Sequence, residues 1–129
     1  MKTDHETMVD AINLIRDIDN WCQGTARKEV RKGLLRRRWQ YCAAGAMQTA
    51  ADTPYEVGLW TISDRPYCRQ YVRLRYAFQQ AAQEILGRPC SAVSFNDRWL
   101  QDGYDRVQVH AEVIQAMEKA AAKLAEEGK

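Results

Sequence analysis

No run of about 18 uncharged apolar residues occurs anywhere in the 129-residue chain, so no segment is long enough to cross a bilayer as a helix. The opening residues, MKTDHETMVD, hold acids and no apolar stretch. They lack the features of a secretory signal and are too acidic for a transit peptide, which leaves a cytoplasmic location as the expectation. Histidine is scarce: the two are His5, in an amino terminus expected to be mobile, and His110. HExxH, a glycine-rich phosphate loop and GxSxG are all missing, so neither a cofactor nor a metal is signalled. Cys22, Cys42, Cys68 and Cys90 stand far apart and none belongs to a CxxC pair. The paired spacing of zinc sites is therefore missing, and a disulfide-stapled scaffold would carry more cysteine. Four reduced, largely buried thiols are the expectation. There is also no internal repeat and no low-complexity tract.

What is present fits one globular domain spanning residues 1–129. Met8, Ala11, Ile12, Ile15, Ile18 and Cys22 recur at three- and four-residue steps, which predicts a first helix from about Asp4 to Cys22. Thr3 or Asp4 caps its start, and Gly24 suits its end. A second helix is expected over Trp39–Ala51. Its Ala43, Ala44, Gly45, Ala46 and Ala50 are small, and Gly45 gives up about 1 kcal/mol of helix propensity against alanine. That sacrifice suggests a close neighbour. Pro54 ends the helix, and an ordered irregular segment near 52–64, with Trp60, is expected next. A third helix starts at Pro66 and runs to Leu86, with a stripe of Tyr71, Leu74, Phe78, Ala81, Ala82 and Ile85. Ala92–Phe95 reads as short and extended, and Asn96-Asp97 as a turn. The last helix is expected over Asp105–Glu126, with Val109, Val113, Ile114, Met117, Ala120, Ala121 and Leu124 on its apolar side. The fold class is all-α: a compact, irregular bundle of about four helices.

Charge is unevenly placed. The net charge is +2, but Ala26–Arg38 alone carries +6, from Arg27, Lys28, Arg31, Lys32, Arg36, Arg37 and Arg38 against Glu29. Periodicity leaves this stretch as a short helix or a long loop. In a helix, steps of three and four would put Arg27, Lys28, Arg31 and Lys32 on one side. Arg65, Arg69 and Arg73 lie opposite the apolar stripe of the third helix and would extend the patch if that helix lay nearby.

Four fragments, Trp21-Cys22-Gln23-Gly24, Cys42-Ala43-Ala44-Gly45-Ala46-Met47, Phe95-Asn96-Asp97 and the closing helix with Val113 and Ala120, together resemble an uncharacterised family of short bacterial and phage proteins. The resemblance covers most of the chain and implies a shared helical fold. It implies no activity. The basic Arg27–Arg38 stretch and the Trp60 segment depart from its pattern.

Three functions are weighed. The first is a non-catalytic binding or regulatory protein acting on a protein partner, in a phage-related, host-directed role. Its anchors would be the arginines with Trp60 or Trp99. The second is a nucleic-acid-binding accessory protein, in which the basic stretch meets phosphates beside Trp39 and Tyr41. The third is a small enzyme using Cys42 or Asp97. Cys42 has no identifiable base, because His110 falls among the apolar positions of the last helix and reads as a packed residue. The partner- or anion-binding candidates are Arg27, Lys28, Arg31, Lys32, Arg36, Arg37, Arg65, Arg69 and Arg73, with no catalytic residue among them.

Overall fold

The structure, a computed structural model, describes residues 2–32, 36–52, 66–98 and 103–129. The first helix, α1 (Asp4–Ile15), is fixed at its start by a capping box. The Thr3 hydroxyl accepts from the Glu6 amide, and the Glu6 carboxylate accepts from the Thr3 amide. Met8, Ala11, Ile12 and Ile15 are buried on one side of it. His5 is held rather than loose: its amide donates to the Lys129 carbonyl and its Nδ1 lies 2.9 Å from the Ala121 carbonyl. The chain leaves the helix after Ile15, seven residues before the expected end at Cys22. Asp17 then caps a 3₁₀ turn, Ile18–Asn20.

Two 21-residue helices, α3 (Pro66–Leu86) and α5 (Arg106–Glu126), supply the frame. Their bounds lie within one residue of those the apolar spacing predicts. Tyr71, Leu74 and Phe78 of α3 meet the side of α5 that buries Val109, Val113, Met117 and Leu124. α1 lies against α5, and α2 (Ala43–Ala50) lies against α1. The short α4 (Ala92–Asn96) closes the core with Phe95, whose ring meets Phe78 edge-on at 5.8 Å. Trp21 is fully buried.

The chain is mostly helical but not all-α. Arg27–Lys32 forms a strand, β1, and Arg36–Tyr41 forms β2, joined as an antiparallel pair. The stretch expected as a helix or a loop is thus a β-hairpin. It claims Trp39–Tyr41 from the expected second helix, which begins only at Ala43 with Cys42 as its cap. The segment expected to be extended is α4. Ser91 and Ser94 form a capping box there, a local bond set that favours a helical turn over a strand. The irregular segment near 52–64, except Asp52, lies outside the described residues, as do Trp60, Trp99 and Arg65. No described helix is long and apolar enough to cross a membrane.

Candidate functional site

Strand pairing, not helix periodicity, distributes the basic residues. The register runs from Arg27↔Tyr41 through Lys28↔Gln40, Glu29↔Trp39, Val30↔Arg38 and Arg31↔Arg37 to Lys32↔Arg36. Successive strand positions belong to opposite faces. Positions 27, 29, 31, 37, 39 and 41 therefore make one set, and 28, 30, 32, 36, 38 and 40 the other. The expected one-sided grouping of Arg27, Lys28, Arg31 and Lys32 does not occur. The chain splits it into Arg27 with Arg31 and Lys28 with Lys32. On the first set the Arg27 guanidinium sits 4.4 Å from the centre of the Trp39 ring, which stays 41% exposed. Such a stack is worth about 0.5–1 kcal/mol at an exposed site. Lys28 is exposed on the second set, and Gln40 donates to the Asp19 carbonyl at 2.9 Å.

The hairpin is tied to the helical body at its base. Trp21 bridges to Tyr41, and the Cys22 amide donates to the Tyr41 carbonyl at 3.0 Å. The Cys42 amide donates to the Ala26 carbonyl at 3.1 Å. Behind these bonds stands Asn96, 1% exposed. Its Oδ1 accepts from Trp21 Nε1 at 2.8 Å and from the Ala43 amide at 3.1 Å. Its Nδ2 donates to the Cys22 carbonyl at 3.2 Å and to Asp97 Oδ1 at 2.8 Å. All four bonding positions of the amide are therefore filled. Asp97 Oδ1 also accepts from the Gly24 amide at 3.0 Å, and Gln23 Nε2 donates to the Asn96 carbonyl at 2.7 Å. The three fragments WCQG, CAAGAM and FND thus meet in one place. The bonds of Trp21, Gln23 Nε2, Asn96 and Asp97 hold the hairpin root onto α2 and α4.

Two further residues complete this anchor, of which only the second was legible in the sequence. Arg106 donates to the carbonyls of Ile18 and Trp21 at 3.1 and 3.0 Å and lies over the Trp21 ring. His110 packs on Trp21 as well, its ring 5.3 Å from the indole and its Nε2 2.7 Å from the Ile15 carbonyl. The packed histidine expected from the sequence is found. The one signal pointing to Arg106 is its place just after Asp105, which caps α5. Arg98, also unforeseen, is a buried core arginine bonded to Glu112 at 2.8 Å.

Cys22 and Cys42 are buried together beside Ala44. Cys42 caps α2, a place where the helix dipole favours a thiolate. Burial outweighs that effect and pushes its thiol up to about 12, although the Gly45 amide donates to the sulfur at 3.3 Å. Burial pushes Cys22 up to about 11. At pH 8 the thiolate fraction of Cys42 is then roughly a thousand-fold below that of an ordinary cysteine. Native iodoacetamide labelling read by peptide mass should therefore show Cys22 and Cys42 reacting at least about a hundred-fold slower than in denaturant. Labelling at the denatured rate would refute this burial.

The arginines of α3 do not join the hairpin as a group. Arg73 donates to both Asp4 oxygens, at 2.7 and 3.0 Å, and the Asp4 carboxyl is held below its ordinary range chiefly by that bond. Asp4 opens α1, while the hairpin base meets the chain beyond the end of that helix, about 18 Å away along its axis. Arg69 is exposed on α3.

A family profile described as "Family of unknown function (DUF6197)" matches residues 1–123. Neither a curated protein nor a solved structure matches the chain.

Proposed function

We propose, for a chain that belongs to DUF6197, a family of unknown function, that the β-hairpin binds the phosphate backbone of a nucleic acid. The observation that carries this reading is the cross-strand register: Arg31 stands opposite Arg37, and Lys32 opposite Arg36. Like charges directly opposite one another destabilise a strand pair. Two such pairs in succession work against the hairpin's own folding, and an external polyanion removes that penalty. Seven of the chain's 19 basic residues fall in this one ribbon or its immediate end, so the field is focused there although the whole chain is near neutral. The exposed Trp39, held under Arg27, adds a flat apolar surface beside the charges.

A protein partner has less behind it. β1 pairs on one side with β2, and strand addition along an edge so rich in lysine and arginine is opposed by charge. One observation favours a protein: Tyr76, 64% exposed, stands over a groove of about 300 Å³ between α3 and α5, with Val72, Ala77 and Leu124 in its wall. Such a partner would survive nuclease in a pull-down, whereas the hairpin reading requires its loss.

Binding of a labelled 20-base-pair DNA should be detectable by anisotropy at low salt. With about four phosphates neutralised, affinity should fall about a hundred-fold between 50 and 200 mM salt. The triple reversal Arg31→Glu, Lys32→Glu and Arg36→Glu should remove binding while leaving the melting temperature within about 3 °C, since one like-charge pair becomes an opposite-charge pair, the other only changes sign, and a cross-strand charge pair is worth at most about 1 kcal/mol. Full binding by the reversed protein, or none by the unaltered one, would overturn the proposal.

A further inference from the structure

We propose that the hollow between α3 and α5 beside Tyr76 binds a small aromatic carboxylate. The site is independent of the hairpin. It adjoins the Arg73–Asp4 pair at the start of α1, while the hairpin base meets the chain beyond the end of that helix. Val72, Tyr76 and Gln80 recur at steps of four on α3, which puts them on one side of the helix, and Lys123 and Leu124 of α5 face them. Leu124 is buried, Val72 and Ala77 are half-buried, and Tyr76 stands exposed at the edge. The volume of about 300 Å³ lies at the lower end of the range for small-molecule sites. It suits one ring system, to which the Tyr76 ring offers an offset or edge-on partner.

The charges around the hollow select the acid. Arg73, Lys123, Lys129 and Glu127 all line it. Two of the three cations have a carboxylate of their own: Arg73 donates to both Asp4 oxygens, and Lys129 donates to Glu127 at 2.9 Å. Lys123, exposed on α5, has no carboxylate within salt-bridge distance among the described residues. One positive charge is therefore left over beside a mainly apolar lining, and its complement is an apolar body carrying one negative charge. The next hollow along the same helices differs. Its lining includes Glu84 and Lys119, which pair at 2.7 Å, and Glu126 there matches the charge of Lys123, so it calls for no ion. A polyanion suits the first hollow poorly, since it brings many charges to one free cation. A protein segment brings at most one side chain into a volume this small and leaves the rest of its contact area on the polar rim.

The probe is naphthoate, with naphthamide as its uncharged counterpart, titrated into the isotope-labelled full chain and followed by amide chemical shifts in NMR. Naphthoate should bind with a Kd of about 0.1–1 mM, the range open to a ligand of this size, and should shift amides within 72–80 and 123–129. Naphthamide should bind about fivefold more weakly, the worth of one exposed ion pair. Lys123→Gln should erase that difference, and Tyr76→Ala should weaken both probes about tenfold. Both residues are exposed, so each variant should melt within about 3 °C of the unaltered chain. Equal binding of the two probes by the unaltered chain would overturn the proposal. So would shifts confined to β1 and β2, which would place the anion on the basic ribbon. No shifts at about 5 mM naphthoate, several times the expected Kd, would leave the hollow to a protein partner. A dimer in sedimentation that Tyr76→Ala dissociates would give it to a second copy. Either of these also overturns the proposal, whatever the hairpin binds.

Discussion

Replacing Gly45 with alanine should lower the stability of the protein by about 2–4 kcal/mol, although alanine is the better helix former by about 1 kcal/mol. Gly45 lies inside α2, and a Cβ built there would come within 1.8 Å of the Ala26 carbonyl oxygen and 2.7 Å of its carbon. The obstacle is backbone, so no side chain can swing aside. That same carbonyl accepts the Cys42 amide, the bond that joins the start of β1 to the cap of α2. Making room for a methyl group therefore requires moving the hairpin root off α2 and giving up a buried hydrogen bond. In a domain of this size the loss corresponds to a fall of about 8–15 °C in melting temperature. Gly103→Ala is the control. Its φ of +72° strains any side chain, but among the described residues nothing lies within 4 Å of the added atom, so the cost there should stay near 1–2 kcal/mol. If Gly45→Ala melted with the unaltered protein, the close approach of Ala26 would be wrong.

The sequence made α3 and α5 readable because each buries one continuous stripe against a neighbour, and a stripe of that length leaves a 3.6-residue signature. It pointed to crowding at Gly45 for a sound reason, but not to what crowds it. The close contact is a loop carbonyl, that of Ala26, far back toward the amino terminus rather than a helix, and no local pattern records that. The hairpin was hidden for a related reason. A half-buried strand announces itself by alternating polar and apolar residues. Here Arg27-Lys28-Glu29-Val30-Arg31-Lys32 holds one apolar residue, Val30, and so offers no alternation to read. α1 was overextended because Ile18 and Cys22 keep the helical spacing while packing by other means: Ile18 half-buried in a 3₁₀ turn, Cys22 buried against Cys42 and Ala44. The candidate arginines were visible as charge, but their grouping depends on period. A period of 2 instead of 3.6 exchanges Lys28 for Glu29 as the companion of Arg27 and Arg31. The family-like fragments were recognisable as words, and only the fold shows that they are parts of one joint.

Asn96 is the centre of that joint, and its removal should be among the most damaging single changes in the chain. Asn96→Ala leaves the Trp21 indole N–H, the Ala43 amide and the Cys22 carbonyl without the partner each has in the folded protein. Each unsatisfied buried group costs about 1–3 kcal/mol, and the costs overlap where water enters. A total of about 3–5 kcal/mol is expected, a large share of the 5–15 kcal/mol that stabilises an ordinary domain. Asn96→Asp is the sharper probe, because it keeps the shape and both acceptors while deleting the two donors. A carboxylate there would face the Cys22 carbonyl and the Asp97 carboxylate across 3.2 and 2.8 Å, placing acceptor against acceptor and charge against charge in a buried site. It should therefore be at least as destabilising as alanine in urea unfolding at neutral pH, despite being the closer isostere. Hydrogen exchange gives the local readout. Amides of β1 and β2 should lose protection before those in the middle of α3 and α5, because the joint ties the hairpin to the body while the long helices hold each other. If Asn96→Asp unfolded at the same urea concentration as the unaltered chain, the amide would be a surface turn residue, as its neighbours in sequence suggest, and not the fastening of the hairpin.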